Sequence, residues 1–90
     1  MRWSEFHPMI RATDLWFDCP KCGPPYRIYV HWSFAPAHDG VWQLTLPPQP
    51  MGEDGWDGVS LSPSILNANH GRKKTCGWHG SVVNGNVVTN

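Results

Sequence analysis

The sequence predicts a small, mainly β domain of short antiparallel strands with a C-terminal hairpin, and three observations predict it. Nine glycines and nine prolines in ninety residues cut the chain into pieces too short for long helices. Residues 26–34 and 41–46 are rich in β-branched and aromatic side chains and alternate apolar with polar positions. Asn84-Gly85 stands between two valine pairs, the pattern of a two-residue hairpin turn. With 40% hydrophobic and 16% charged residues, the chain is a folding one. Residues 1–90 make one domain, and a core of this size hides only about 60–65% of the unfolded surface. A staple is therefore expected, either a metal or a partner.

Taken in order, residues 1–16 show no helical periodicity and read as a peripheral N-terminal segment. Residues 15–17 read as a short strand leading into Cys19. Residues 19–25 (CPKCGPP) form a tight knuckle, with Gly23 supplying a positive φ. A long strand at 26–34, a turn at 35–40 and a second strand at 41–46 follow. Pro47, Pro48 and Pro50 stop that strand in extended, polyproline-like chain. Residues 52–58 are an acidic, glycine-rich loop. Residues 59–66 form a third strand, which Pro63 confines to an edge or a bulge. Polar loop fills 67–75, and the hairpin closes the domain at 81–88.

Seven basic residues balance seven acidic ones, so no basic field is available for general phosphate binding. Arg72-Lys73-Lys74 is the local exception. No apolar run reaches the roughly 18–20 residues that span a bilayer, and residues 1–10 (MRWSEFHPMI) lack the apolar centre expected of a secretory signal. Three cysteines are an odd number for disulfides. Metal binding in a reducing compartment uses them better, which predicts a cytoplasmic protein.

Cys19-x-x-Cys22 and Cys76-x-x-His79 are two chelating pairs, each with two residues between its ligands and each followed by glycine. That spacing lets a turn aim both side chains at one tetrahedral ion. Three thiolates and one imidazole make a structural Zn2+ set and use every cysteine. Four protein ligands leave no open position for a reacting water, so the predicted metal is a fold staple. A redox CxxC beside an unrelated cysteine and histidine is the plainer reading, and His70 is the rival fourth ligand.

Ser60, Ser62 and Ser64 alternate along VSLSPSI, either as hydroxyls lining a pocket or as the solvated side of an edge strand. A nucleophilic serine needs a base beside it, and His31 is the candidate. Residues 53–58 (EDGWDG) read as an acidic turn and lack the calcium-loop pattern. Six tryptophans exceed what so small a core needs, which predicts that some face a partner. Trp56 in its glycine loop and Trp78 inside the second knuckle are the candidates.

With CPKCG at 19–23, WQLT at 42–45, VSLSPSI at 59–65 and CGWH at 76–79 in that order, the chain resembles a small zinc-ribbon-type family from bacterial and phage genomes. The resemblance spans about residues 17–88, with the loops at 47–56 and 67–75 longer than in the family. It implies Cys19, Cys22, Cys76 and His79 as metal ligands, brings no activity, and gives the SLSPSI stretch, with Ser62 and Ser64, more weight as a partner surface. The reading that follows is a non-enzymatic, zinc-stabilised protein-interaction module. In a phage it would serve as a virion component or an inhibitor of a host system. The alternatives are a nucleic-acid-associated protein using Arg72, Lys73, Lys74 and Trp78, and a small hydrolase using the SLSPSI serines.

Overall fold

The computed structural model describes residues 1–45, 47, 53–67 and 77–90. Seven strands form one sheet in sequential order. They are β1 (Met9–Arg11), β2 (Asp14–Asp18), β3 (Arg27–Ser33), β4 (Val41–Leu44), β5 (Leu61–Asn67), β6 (Trp78–Val83) and β7 (Asn86–Thr89). Two single turns of 3-10 helix, Trp3–Phe6 and Glu53–Trp56, lie outside the sheet. Among the described residues no helix is long and apolar enough to cross a membrane.

Side chains of successive strand residues point to opposite faces, and the sequence obeys that period. Leu15 and Phe17 of β2, Ile28 and Val30 of β3, Leu44 of β4, Leu61 and Ile65 of β5, Trp78 and Val82 of β6 and Val87 of β7 all point inward. Together with Trp3, Cys19 and Val59 they make one core. Edge-on aromatic contacts run through it, from Trp56 to Trp3 at 4.8 Å, Trp3 to Phe17 at 5.6 Å and Phe17 to Trp78 at 6.3 Å.

Four features differ in whole or in part from the sequence expectation. The strands are not all antiparallel, because β3 and β4 run parallel, with His31 opposite Val41 and Trp32 opposite Trp42. The connection at 34–40 carries the chain back along β3 and then reverses it at a tight turn. There Val41 N–H donates to the His38 carbonyl at 2.6 Å, and Asp39 and Gly40 both have positive φ.

The N-terminal sixteen residues are not peripheral. Trp3 is fully buried, β1 pairs with β2, and Leu15 is a core residue. Hydrogen bonds from Trp3 N–H to the Gly85 carbonyl and from Val87 N–H to the Met1 carbonyl, each 2.7 Å, lay the first residues along β7. With the isolated Arg2–Asn86 bridge, they tie the start of the chain to the last strand of the sheet.

Of the two readings of the SLSPSI stretch, an edge or a bulge, the edge is excluded and the bulge is present. β5 lies between β4 and β6, and its register with β6 shifts between Leu61 and Ile65, which accommodates Pro63. The Pro63 carbonyl accepts from the Trp42 indole N–H at 3.0 Å.

Gly80 is not a turn residue. It sits inside β6, where a Cβ would collide with the Trp78 ring and the Val88 carbonyl.

Candidate functional site

The β2–β3 connection is the knuckle that CPKCGPP predicts. Cys19 N–H donates to the Tyr26 carbonyl at 3.0 Å, Gly23 N–H to the Cys19 carbonyl at 2.8 Å and Tyr26 N–H to the Gly23 carbonyl at 3.0 Å. Gly23 has a φ of 71°, which its lack of a Cβ makes available. Cys19 is buried and Cys22 half-buried, and neither is in a disulfide. Two thiols in one turn fit half of a thiolate metal site.

The structure places His79 apart from that half. Its inward neighbour Trp78 lies in the core with Cys19, and alternation along β6 turns His79 to the outer face. There its Nε2 meets Ser64 Oγ at 3.2 Å and the Asn90 amide nitrogen at 3.4 Å. Among the described residues no three histidine, cysteine or acidic side chains converge as a metal group. Cys76, the rival ligand His70 and the basic run Arg72-Lys73-Lys74 lie outside the described residues.

Ser62 and Ser64 are exposed on β5. Ser64 and His79 resemble a nucleophile and its base, yet the arrangement of a serine triad is incomplete. In a triad the base turns Nε2 to the serine and Nδ1 to a carboxylate, whereas here Nε2 faces both Ser64 and Asn90. His31, the base considered from sequence, has its Nδ1 2.9 Å from Asp14 Oδ1 and lies on β3, two strands from Ser62.

The tryptophans are distributed differently from the sequence expectation. Trp78 does not face a partner. It is only 3% exposed, its indole N–H donates to Thr89 Oγ1 at 3.1 Å, and the space for its ring is the one Gly80 leaves empty. Trp56 is half-buried against Trp3.

An outward aromatic surface lies on β1, β2 and β3. Register sets three cross-strand pairs on one face, namely Asp14 with His31, Trp16 with Tyr29 and Asp18 with Arg27. Met9 of β1 stands beside Trp16. Tyr29 is 66% and Met9 54% exposed, while Trp16 is half-buried. The Trp16 and Tyr29 rings lie 6.1 Å apart with planes inclined at 34°.

Beside them opens a cavity of about 520 Å³ lined by His7, Met9, Trp16, Asp18, Pro24 and Arg27. Asp18 is its buried anchor. A carboxylate taken out of water requires partners, and Asp18 Oδ2 lies 2.8 Å from His7 Nδ1 while Oδ1 lies 3.9 Å from Arg27 Nε. An ionised carboxylate only accepts, so Nδ1 of His7 carries the proton and donates it. His7 reaches this position from the left-handed residue that ends the first 3-10 turn, with φ 51°.

Sequence reasoning missed this surface. Its signal is the alternation Asp14-x-Trp16-x-Asp18 followed by Arg27-x-Tyr29-x-His31, two strands that each turn three polar or aromatic residues to one side. Pairing those runs across the CPKCG knuckle would have placed them on a common face. No known protein family, no curated protein and no solved structure matches the chain.

Proposed function

We propose that the protein works by binding another protein through the outer face of β1, β2 and β3. The observation that carries this reading is the grouping of Met9, Trp16 and Tyr29 on one exposed face beside a cavity. Aromatic and methionine side chains at the centre of a surface patch, rimmed by polar groups, are the composition of interaction hot spots. Here the rim consists of Arg11, Asp14, Asp18, Arg27 and His31. Its two carboxylates offset its two guanidinium groups, so the face lacks the positive field that nucleic-acid binding draws on. Ser62 and Ser64 lie on β5, outside this patch. A structural zinc on the thiolates of Cys19, Cys22 and Cys76 belongs to the same reading as a staple that keeps the knuckle, and with it β2 and β3, in place.

Photo-crosslinking inside the expressing cell tests it. A benzoylphenylalanine at position 29 is expected to capture a discrete protein, and the same group at Val88, exposed on β7, is not. Capture that is equal from both positions, or absent from position 29, overturns the reading.

A further inference from the structure

We propose that Asn84 is a site of spontaneous covalent modification, in which its side-chain amide is lost to the next peptide nitrogen, and that the seam between the chain start and the C-terminal hairpin holds this site closed. The chain has one Asn-Gly step, at 84–85. It is the dipeptide in which the reaction meets least hindrance, because glycine sets no Cβ beside the attacking nitrogen. The Gly85 nitrogen bonds to Cγ of Asn84, the Cγ–Nδ2 bond breaks, and the proton of the Gly85 N–H leaves, through solvent, on the departing ammonia. Water then opens the cyclic imide on either side, leaving aspartate or, with Cβ now in the main chain, isoaspartate. Nothing is oxidised or reduced, and water is the only co-reactant.

A two-residue hairpin turn keeps the N–H and carbonyl groups of its central residues out of the strand ladder, where water ordinarily takes them. Here each of the four has a partner in the protein. Asn84 N–H donates to Ser60 Oγ at 2.8 Å, and the Asn84 carbonyl accepts from the Asn86 side-chain amide at 3.1 Å. Gly85 N–H donates to the Val59 carbonyl at 2.7 Å, and the Gly85 carbonyl accepts from Trp3 N–H at 2.7 Å. Gly85 is buried, and a Cβ on it would lie 2.8 Å from the Trp56 carbonyl oxygen.

The restraint therefore lies in the backbone, since the Asn84 side chain is exposed to water. Attack requires the peptide plane between Asn84 and Gly85 to rotate. That plane carries the N–H held by Val59 and the carbonyl held by Asn86, so it turns only when both let go. Arg2 latches the chain start over this region, its guanidinium 3.1 Å and 3.0 Å from the two carboxylate oxygens of Asp57. Local opening of such a seam sets the fraction of molecules able to react. Isoaspartate adds a main-chain atom and a carboxylate, which do not refit the place of Asn84-Gly85, so one opening becomes permanent.

Peptide mapping by mass spectrometry, with isoaspartate detection, tests this on the full chain held at one mildly alkaline pH and temperature. The folded protein is expected to lose the Asn84 amide at least about tenfold more slowly than the same chain unfolded in urea, because its reactive state is the minor open one. Arg2→Ala is expected to speed the folded reaction severalfold without changing the circular dichroism, and Ser62→Ala to leave it unchanged. Val30→Ala weakens the core away from the seam and is expected to speed it less than Arg2→Ala does. The modified protein, separated by the charge it gains, is expected to melt below the unmodified one. Equal rates in folded and unfolded chains overturn the proposal. So does an Arg2→Ala rate equal to the parent's, a Val30→Ala rate above that of Arg2→Ala, or modified protein that melts with the unmodified.

Discussion

Gly80 shows how one missing methyl group sets the interior. On sequence grounds it is the glycine that follows a metal knuckle. In the structure it is a strand residue whose empty side-chain position is filled by the ring of Trp78. Adding a Cβ there forces either the indole or the β6–β7 pairing to move. Overpacking of this kind costs about 1–3 kcal/mol. Gly80→Ala is therefore expected to lower the free energy of unfolding, read from urea titration, by that amount. A change within the ~0.5 kcal/mol of an ordinary surface substitution would show that the core yields without strain. The same packing removes Trp78 from the surface, so the tryptophan singled out by its place between two candidate ligands belongs to the core. Trp16, whose sequence neighbours carry no motif, is the one turned toward the cavity.

At the scale of elements, the C-terminal hairpin was the most legible part of the sequence. Asn84 and Gly85 take φ of 49° and 76°, the two positive values that a primed turn requires, and Val83 pairs with Asn86. Gly85 carries a second constraint, since a Cβ on it would press on the backbone of Trp56 and Asp57. Gly85→Ala combines left-handed strain with that contact and is expected to cost about 1–3 kcal/mol. Asn84→Ala, at a position open to solvent, is expected to cost less. Equal losses in thermal melts of the two variants would remove the contact with Trp56 from the account. β3 and β4 were legible as well, because period-two alternation is a local property of each run. What was not legible depends on pairing across distance. The parallel run of β4 beside β3 follows from the path of residues 34–40, and no periodicity reports it. β1 has three residues and gains its identity only from β2. The outer face of β2 and β3 becomes visible only once register sets Trp16 against Tyr29, so the candidate site was less legible than the fold that carries it.

At the scale of the whole molecule, a core drawn from six strands and the N-terminal turn is small for a domain of ninety residues, and the proposed zinc would supplement it. Cys76→Ser is expected to abolish stoichiometric zinc and lower the thermal midpoint well beyond Ser62→Ala, whose side chain is exposed. His79→Ala is expected to keep the metal, because its Nε2 is held by Ser64 and Asn90 on the outer face. Metal analysis of the three purified variants checks both statements. Full zinc in Cys76→Ser would end the staple, and loss of zinc in His79→Ala would put the imidazole on the ion. The seam between residues 1–3 and 85–87 bears on how the domain is born. Trp3 donates to a carbonyl more than eighty residues downstream, so while the ribosome is still adding the middle of the chain, the first aromatic of the core lacks its backbone partner. The domain cannot be completed strand by strand as it is made. Its beginning must wait, unpaired, for residues 85–87 to emerge, and the folding rate inherits the cost of that long-range closure.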